Sequence, residues 1–443
     1  MTDVFGRLGP DFVFGVATAS YQIEGSVDVD GRGESIWDRF SHTPGAIKEG
    51  ATGDVACDHY RLWREDVALI HDLGMDAYRF SIAWPRVFPD GMGSVNAPGL
   101  DFYDHLVDEL LAAGIAPYPT LYHWDLPQAL EDKGGWTNRA TAEAFAAYAG
   151  IVADRLGDRV RRWGTINEPW CVAELGYRHG VHAPGRREPQ AALDASHHVL
   201  LAHGLGMQAV RAASGDALVG FACNVDVQQP RSTHPRDVAA ARLEDAYRNR
   251  WWLDPVFLGA YPEDGVAARG WDQAVVLDGD LDVISAPMDY LGINYYSRSI
   301  VGADGLDDAD RRDPVSATLP KTTMGWEIYP DGLRDLLIRF HHEYDLPDVF
   351  VTENGVALPD QLVDDSIHDP GRIEYLLTHF EATAEAVAAG VPVKGFFIWT
   401  LMDNFEWGEG LTQRFGVVWT NYDDQRRVVK DSGHWLASHL RAR

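Results

Sequence analysis

Cysteine is scarce in this chain. Only three occur in 443 residues, Cys57, Cys171 and Cys223, far apart and odd in number. Their spacing supports neither a disulfide framework nor a zinc-binding set, and it suits a reducing cytoplasm. Basic residues are also few: 38 Lys and Arg stand against 67 Asp and Glu, a net charge of −29. Phosphate backbones and anionic lipid surfaces demand a basic footprint, so nucleic-acid and membrane partners are excluded. The charge reads as solubility. No apolar run approaches the roughly 18 residues of a membrane span. The segment Met1 to Arg7 lacks a basic stretch followed by an apolar one, so no signal peptide is expected and the chain is read as cytoplasmic. The 17 histidines include His197-His198 and His341-His342, but no ligand set with catalytic metal spacing, and adjacent side chains on a helix point apart. The expectation is therefore no metal and no other cofactor. A homo-oligomer stays open.

What is present is a large apolar fraction, 46%, with 15 Trp, ample for a sizeable core. Strand-like runs fall at Phe12–Val16, Ala77–Ser81, Ala116–Leu121, Arg162–Ile166, Leu218–Asn224, Tyr290–Tyr295, Val349–Thr352 and Val393–Trp399. Between them lie amphipathic stretches with helical period: Arg61–Asp72, Leu100–Ala113, Ala140–Leu156, Pro189–Ala213, Asp237–Trp252, Asp331–Tyr344 and Arg372–Gly390. Gly74, Gly114, Gly157, Gly215 and Gly390 read as C-terminal caps. Eight strands alternating with helices predict an α/β fold with a parallel sheet, closed as a single (β/α)₈ (TIM) barrel over residues 1–443. An open doubly wound sheet would want a glycine-rich turn after the first strand, and Gly15–Ser20 lacks it. Ser41–Gly53 and the Asp-rich Ala303–Pro320 read as surface excursions inserted into one domain.

Two acidic segments stand out. Thr165-Ile166-Asn167-Glu168-Pro169 and Val351-Thr352-Glu353-Asn354-Gly355 each place a glutamate at the end of a β-prone run. A lone glutamate there is usually a solvated cap. Two, each beside an Asn and followed by a helix-breaking Pro or Gly, suit another purpose. Paired carboxylates at strand ends, one protonated and one ionised, are what double-displacement cleavage of a glycosidic bond requires. In a barrel, strand C-termini are where catalytic groups gather.

Further segments keep company with these two: Phe12 to Gly25, Tyr122 to Pro127, Leu291 to Tyr296 and Trp399 to Trp407. Six motifs in this order, from about Phe12 to Trp435, resemble glycoside hydrolase family one, the retaining β-glucosidases and their relatives. The resemblance implies Glu168 as general acid/base and Glu353 as nucleophile, with carboxyl groups about 5–5.5 Å apart. Arg79 matches the arginine beside the nucleophile and Tyr296 the phenol bonded to it; singly, these would read as an ion pair and strand packing. Asn167 matches the residue that bonds the sugar 2-hydroxyl. Gln22, His123, Trp124, Glu406 and Trp407 match the set that holds the terminal sugar, and Trp399 its flat platform. Asn294 supports the nucleophile side, and Phe415 joins the substrate-binding set. Trp326 matches a tryptophan at the aglycone entrance, where Trp170, Cys171, Leu175 and His179 are also expected. The peptide after Trp399 is expected to be cis.

Relatives acting on 6-phosphorylated sugars carry Ser near Glu406 and a downstream Lys-Tyr pair. The carboxylate here implies an unphosphorylated small-molecule β-glucoside as partner, with exo action on cellobiose and short cello-oligosaccharides. Glu168 itself argues for O-glycosides over thioglucosides, whose hydrolases in this family have Gln there. A β-galactosidase, β-fucosidase or transglycosylase of the same family is the alternative. Further off stand a 6-phospho-β-glucosidase and a sugar-binding pseudoenzyme.

Overall fold

The computed structural model describes residues 4–307, 311, 313–316 and 318–442. Eight parallel strands close into a barrel: β1 Val13–Ala17, β2 Ala77–Ser81, β3 Ala116–Tyr122, β4 Arg162–Asn167, β5 Leu218–Pro230, β6 Tyr290–Val301, β7 Asp348–Asn354 and β8 Val393–Trp399. Each pairs with its neighbour in chain order, and β1 closes the ring against β8 from Val13↔Gly395 to Ala17↔Trp399. The strands read as nearly continuous apolar runs because both faces are covered, by helices outside and by side chains within. Tyr118, Phe350 and Phe397 fill the lower interior, with ring centroids 5.0 Å apart for Tyr118–Phe397. Glycine in β1 makes room for this layer: a Cβ on Gly15 would lie 2.5 Å from the Phe397 ring.

All eight expected strands form, with ends shifted by a residue or two. The exceptions are β5 and β6, which run on as a paired extension to Pro230↔Val301, past an irregularity at Val225/Val227. Beyond Asp226 these strands are only half buried, so the apolar signal that marks their barrel portions fades. Asp237–Trp252 is not one helix. It divides into Pro235–Asp245, a π turn over Ala246–Arg250, and Trp251–Leu258. Pro255 lies inside the last of these helices, where it offers no amide hydrogen to the carbonyl one turn back. Among the glycine stops, Gly74, Gly114 and Gly390 are left-handed, whereas Gly157 stays right-handed at φ −72° and Ser214 ends the helix before Gly215. Ser41 closes the helix Ile36–Ser41, and the rest of the Ser41–Gly53 segment has a short helical turn at Lys48–Gly50. In the Ala303–Pro320 excursion, 308–310, 312 and 317 lie outside the described residues, and the rest is without helix or strand. The peptide between Trp399 and Thr400 is cis. No described helix is long and apolar enough to cross a membrane.

Candidate active site

A cavity of about 1220 Å³ opens at the C-terminal ends of the strands. Glu168 follows β4 directly, with φ 47° and its amide donating to the Ala222 carbonyl at 2.8 Å. Glu353 is the penultimate residue of β7, in register with Asn294 of β6. Both carboxyls are buried and both face the cavity.

The two differ in what touches them. Arg79 Nη1 donates to Glu353 Oε1 at 2.7 Å, and Tyr296 donates its phenol hydrogen to Oε2 at 2.8 Å. Glu168 has no bonded cation among the described residues. Its Oε1 accepts from Asn294 Nδ2 at 2.7 Å and its Oε2 from the Cys171 thiol at 3.0 Å. Burial, then the charge of Glu353, push the Glu168 carboxyl up to about 7 against the pull of Asn294, Cys171 and Arg248. Burial also raises Glu353, but the Arg79 charge and hydrogen bond and the Tyr296 hydrogen bond oppose the rise. A single proton in this pair therefore resides on Glu168.

A buried network joins the strand ends. Asn167 Oδ1 accepts from Arg79 Nη2 at 2.6 Å and from Asn294 Nδ2 at 3.1 Å. Its Nδ2 donates to His123 Nε2 at 3.0 Å, which places the imidazole hydrogen on Nδ1. Burial, with Arg79 nearby, keeps His123 neutral. The Trp124 indole donates to the Asn167 carbonyl at 2.9 Å. Gln22 Nε2 donates to the Phe405 carbonyl at 2.8 Å and to Glu406 at 3.3 Å. Gln22 Oε1 and His123 Nδ1 are buried without a partner among the described residues, polar atoms suited to hydroxyl groups. Burial, then the charges of Glu353 and Glu168, raise Glu406 to about 8, opposed by Gln22 and the Trp399 indole.

Aromatic rings complete the walls. Trp399 stacks 5.8 Å from His123, and Trp407 lies 4.5 Å from Trp124. On the outer side, Trp326 and Phe415 sit 5.4 Å and 6.2 Å from Tyr296. Of the residues expected at the site, all but His179 meet here, though Arg79, Asn167 and Gln22 stand behind the lining rather than in it. Trp170, Cys171 and Leu175 line the mouth as expected. His179 does not. It is exposed and faces a separate hollow of about 400 Å³ behind Trp170, 3.9 Å from Glu174. Residues Cys171–Arg178 form a π-helix, and the His179 amide bonds the Glu174 carbonyl five residues back. The wider turn rotates the i, i+4 row away from the cavity after Leu175.

Three participants escape sequence reading. Thr352 donates to Asn294 Oδ1 at 2.6 Å and so fixes the amide between the carboxyls. Arg248 lies 3.8 Å over the Trp170 ring and pairs with Asp226 at 3.0 Å. Cys171, expected only as wall, reaches Glu168 itself. Thr352 had one available signal, its place next to Glu353; the other two come from turns wider than an α-helix.

A closed eight-stranded barrel with two buried carboxyls and orphaned polar atoms at its mouth defines a carbohydrate-active hydrolase. The chain belongs to glycosyl hydrolase family 1, whose model matches residues 5–443. It is 47% identical to beta-glucosidase A of Thermotoga maritima, over 96% of each chain. It is 45% identical to a bifunctional beta-D-glucosidase/beta-D-fucosidase of Bifidobacterium breve, over 98% of each. The solved structure of the Thermotoga maritima beta-glucosidase in complex with glucoimidazole superposes with a TM-score of 0.93 at 46% identity, covering 97% of this chain and 98% of that one.

Proposed function

We propose that the protein is a retaining, exo-acting β-glucosidase that releases terminal β-D-glucosyl residues by double displacement, the whole chain serving as one catalytic domain. The observation that carries the assignment of roles is the asymmetry between the carboxyls. Glu353, held by Arg79 and Tyr296, is the ionised nucleophile. Glu168, without a bonded cation, is the protonated acid. In the first step Glu353 attacks the anomeric carbon while Glu168 gives its proton to the leaving oxygen. Forming the ester consumes the Glu353 charge, which was raising the proton affinity of Glu168. Glu168 is then the better base for the incoming water.

Asn167 is read as the donor to the sugar 2-hydroxyl, through the amide that now faces His123. Gln22, His123, Trp124, Glu406 and Trp407 take the remaining hydroxyls, and Trp399 the apolar face of the ring. A 6-phosphate would be set against the Glu406 carboxyl, so unphosphorylated glycosides are the substrates, including aryl and alkyl glucosides, cellobiose and short cello-oligosaccharides. The bifunctional relative supports fucosides as further substrates. Trp326, Phe415 and Trp170 form the aglycone mouth.

Proton NMR of an aryl β-glucoside during hydrolysis tests this directly. β-Glucose appearing first, then mutarotating, is the expected course. α-Glucose appearing first would remove Glu353 from the role of nucleophile.

A further inference from the structure

Cys171 is a buried thiol in contact with a reacting group, and the mechanism above leaves it without a task. Its Sγ lies 3.0 Å from Glu168 Oε2, and burial raises the thiol well above its ordinary range, so it stays protonated. On its far side is the Asn224 amide, 3.6 Å from the sulfur. The hydrogen-bond network turns the amide oxygen toward Arg248, which donates to it from both terminal nitrogens at 3.1 Å. That same end of the amide faces Cys171. The S–H bond therefore has two acceptors within reach, Glu168 Oε2 and Asn224 Oδ1. Arg248 is itself fixed by Asp226 and by the Trp170 ring, so the outer acceptor is stationary.

We propose that Cys171 is a positioning residue for the acid/base carboxyl, its thiol hydrogen donating to Glu168 when that group is ionised and turning to Asn224 when it is protonated. This rests on the assignment of Glu168 as acid/base. A donor that binds only the ionised form lowers the proton affinity of the carboxyl. In the ionised form it also holds Oε2 in one place while Asn294 holds Oε1, so the carboxylate keeps its aim when it acts as base in the second step. The other titratable and charged groups around Glu168 are Glu353, Glu406, Tyr296, Cys223 and Arg248. None but Cys171 among them bonds Glu168 directly within the described residues.

The test is the pH profile of kcat/KM on an alkyl β-glucoside, whose poor leaving group needs the acid. The basic limb then reports loss of the Glu168 proton. Cys171→Val removes the donor at similar volume and should move that limb up by about 0.4–1 pH unit, as one lost hydrogen bond implies. Cys171→Ser keeps a donor and should place the limb at or below that of the unmodified enzyme. Cys171→Ala serves as the second donor-free variant if valine does not fold. A limb that stays put in the valine and alanine variants, or moves equally in the serine variant, overturns the proposal. Full turnover of the alkyl glucoside by Glu168→Gln would instead remove the acid/base assignment, leaving the two failures distinguishable.

Discussion

Replacing Arg79 by methionine removes the one cation bonded to Glu353 while keeping most of the aliphatic stem. The contact is short, 2.7 Å, and both side chains are 4% exposed, so water cannot take its place. A hydrogen bond to a charged group contributes about 1.5–3 kcal/mol, which equals roughly 1.1–2.2 pKa units. The sign follows from which form is favoured. Arg79 stabilises the ionised carboxylate, so its loss leaves burial opposed by hydrogen bonds such as that of Tyr296 but by no bonded cation, and the acidic limb of activity moves upward. One pH unit above the native limb, the ionised fraction falls from about nine-tenths to between roughly four-tenths and one-twentieth. That alone slows glycosylation about two- to fifteenfold, and freeing Asn167 Oδ1 from Arg79 adds a pH-independent loss. The assay is the pH profile of kcat/KM with 2,4-dinitrophenyl β-glucoside, an activated substrate that needs no general acid. Rates in the variant should recover partly as pH rises. A loss that is the same at every pH would refute the electrostatic role assigned to Arg79.

Two other substitutions probe the frame around the site. A Cβ on Gly355 would lie 1.7 Å from the Trp399 carbonyl, so Gly355→Ala should push the end of β8 outward and cost about 10²-fold in kcat/KM; activity within threefold of the parent would contradict this. Lys430 is fully buried and donates to Asp403 at 2.7 Å and to Asp360, which Arg372 also pairs at 2.8 Å. Lys430→Met removes two charge-assisted hydrogen bonds from buried carboxylates, leaving Asp360 to Arg372 and Asp403 to Arg414, and should lower stability by about 3–5 kcal/mol, read as a fall in the thermal midpoint; an unchanged midpoint would refute it.

The barrel was legible because each strand is an apolar run bounded by turn residues, and the helices between carry a clear 3.6-residue period. The two glutamates were legible because strand ends in such a barrel converge on one mouth. Legibility ended where the backbone leaves standard geometry. The π turns at Cys171–Arg178 and Ala246–Arg250 shift every side chain after them, which turned His179 away and brought Arg248 in. No residue pattern announces a turn one residue wider than usual. The long β5–β6 extension was missed because it lacks the full burial that makes a strand readable. Hydrogen bonds between strand ends, such as Thr352 to Asn294, depend on the register of β7 against β6, and one sequence carries no record of register.

The chain of bonds from Arg79 through Asn167 and Asn294 to Thr352 draws only on β2, β4, β6 and β7, whereas the aglycone mouth is assembled mostly from the segments between strands. Chemistry and leaving-group selection are therefore inherited as separate parts. Mutational drift around Trp326 or the Ser41–Gly53 excursion, both of which reach the cavity wall, can alter which aglycones enter without disturbing the spacing of the two carboxyls. Selection acting on one trait is free of the other, so a lineage built on this frame can diversify its diet while its reaction stays the same.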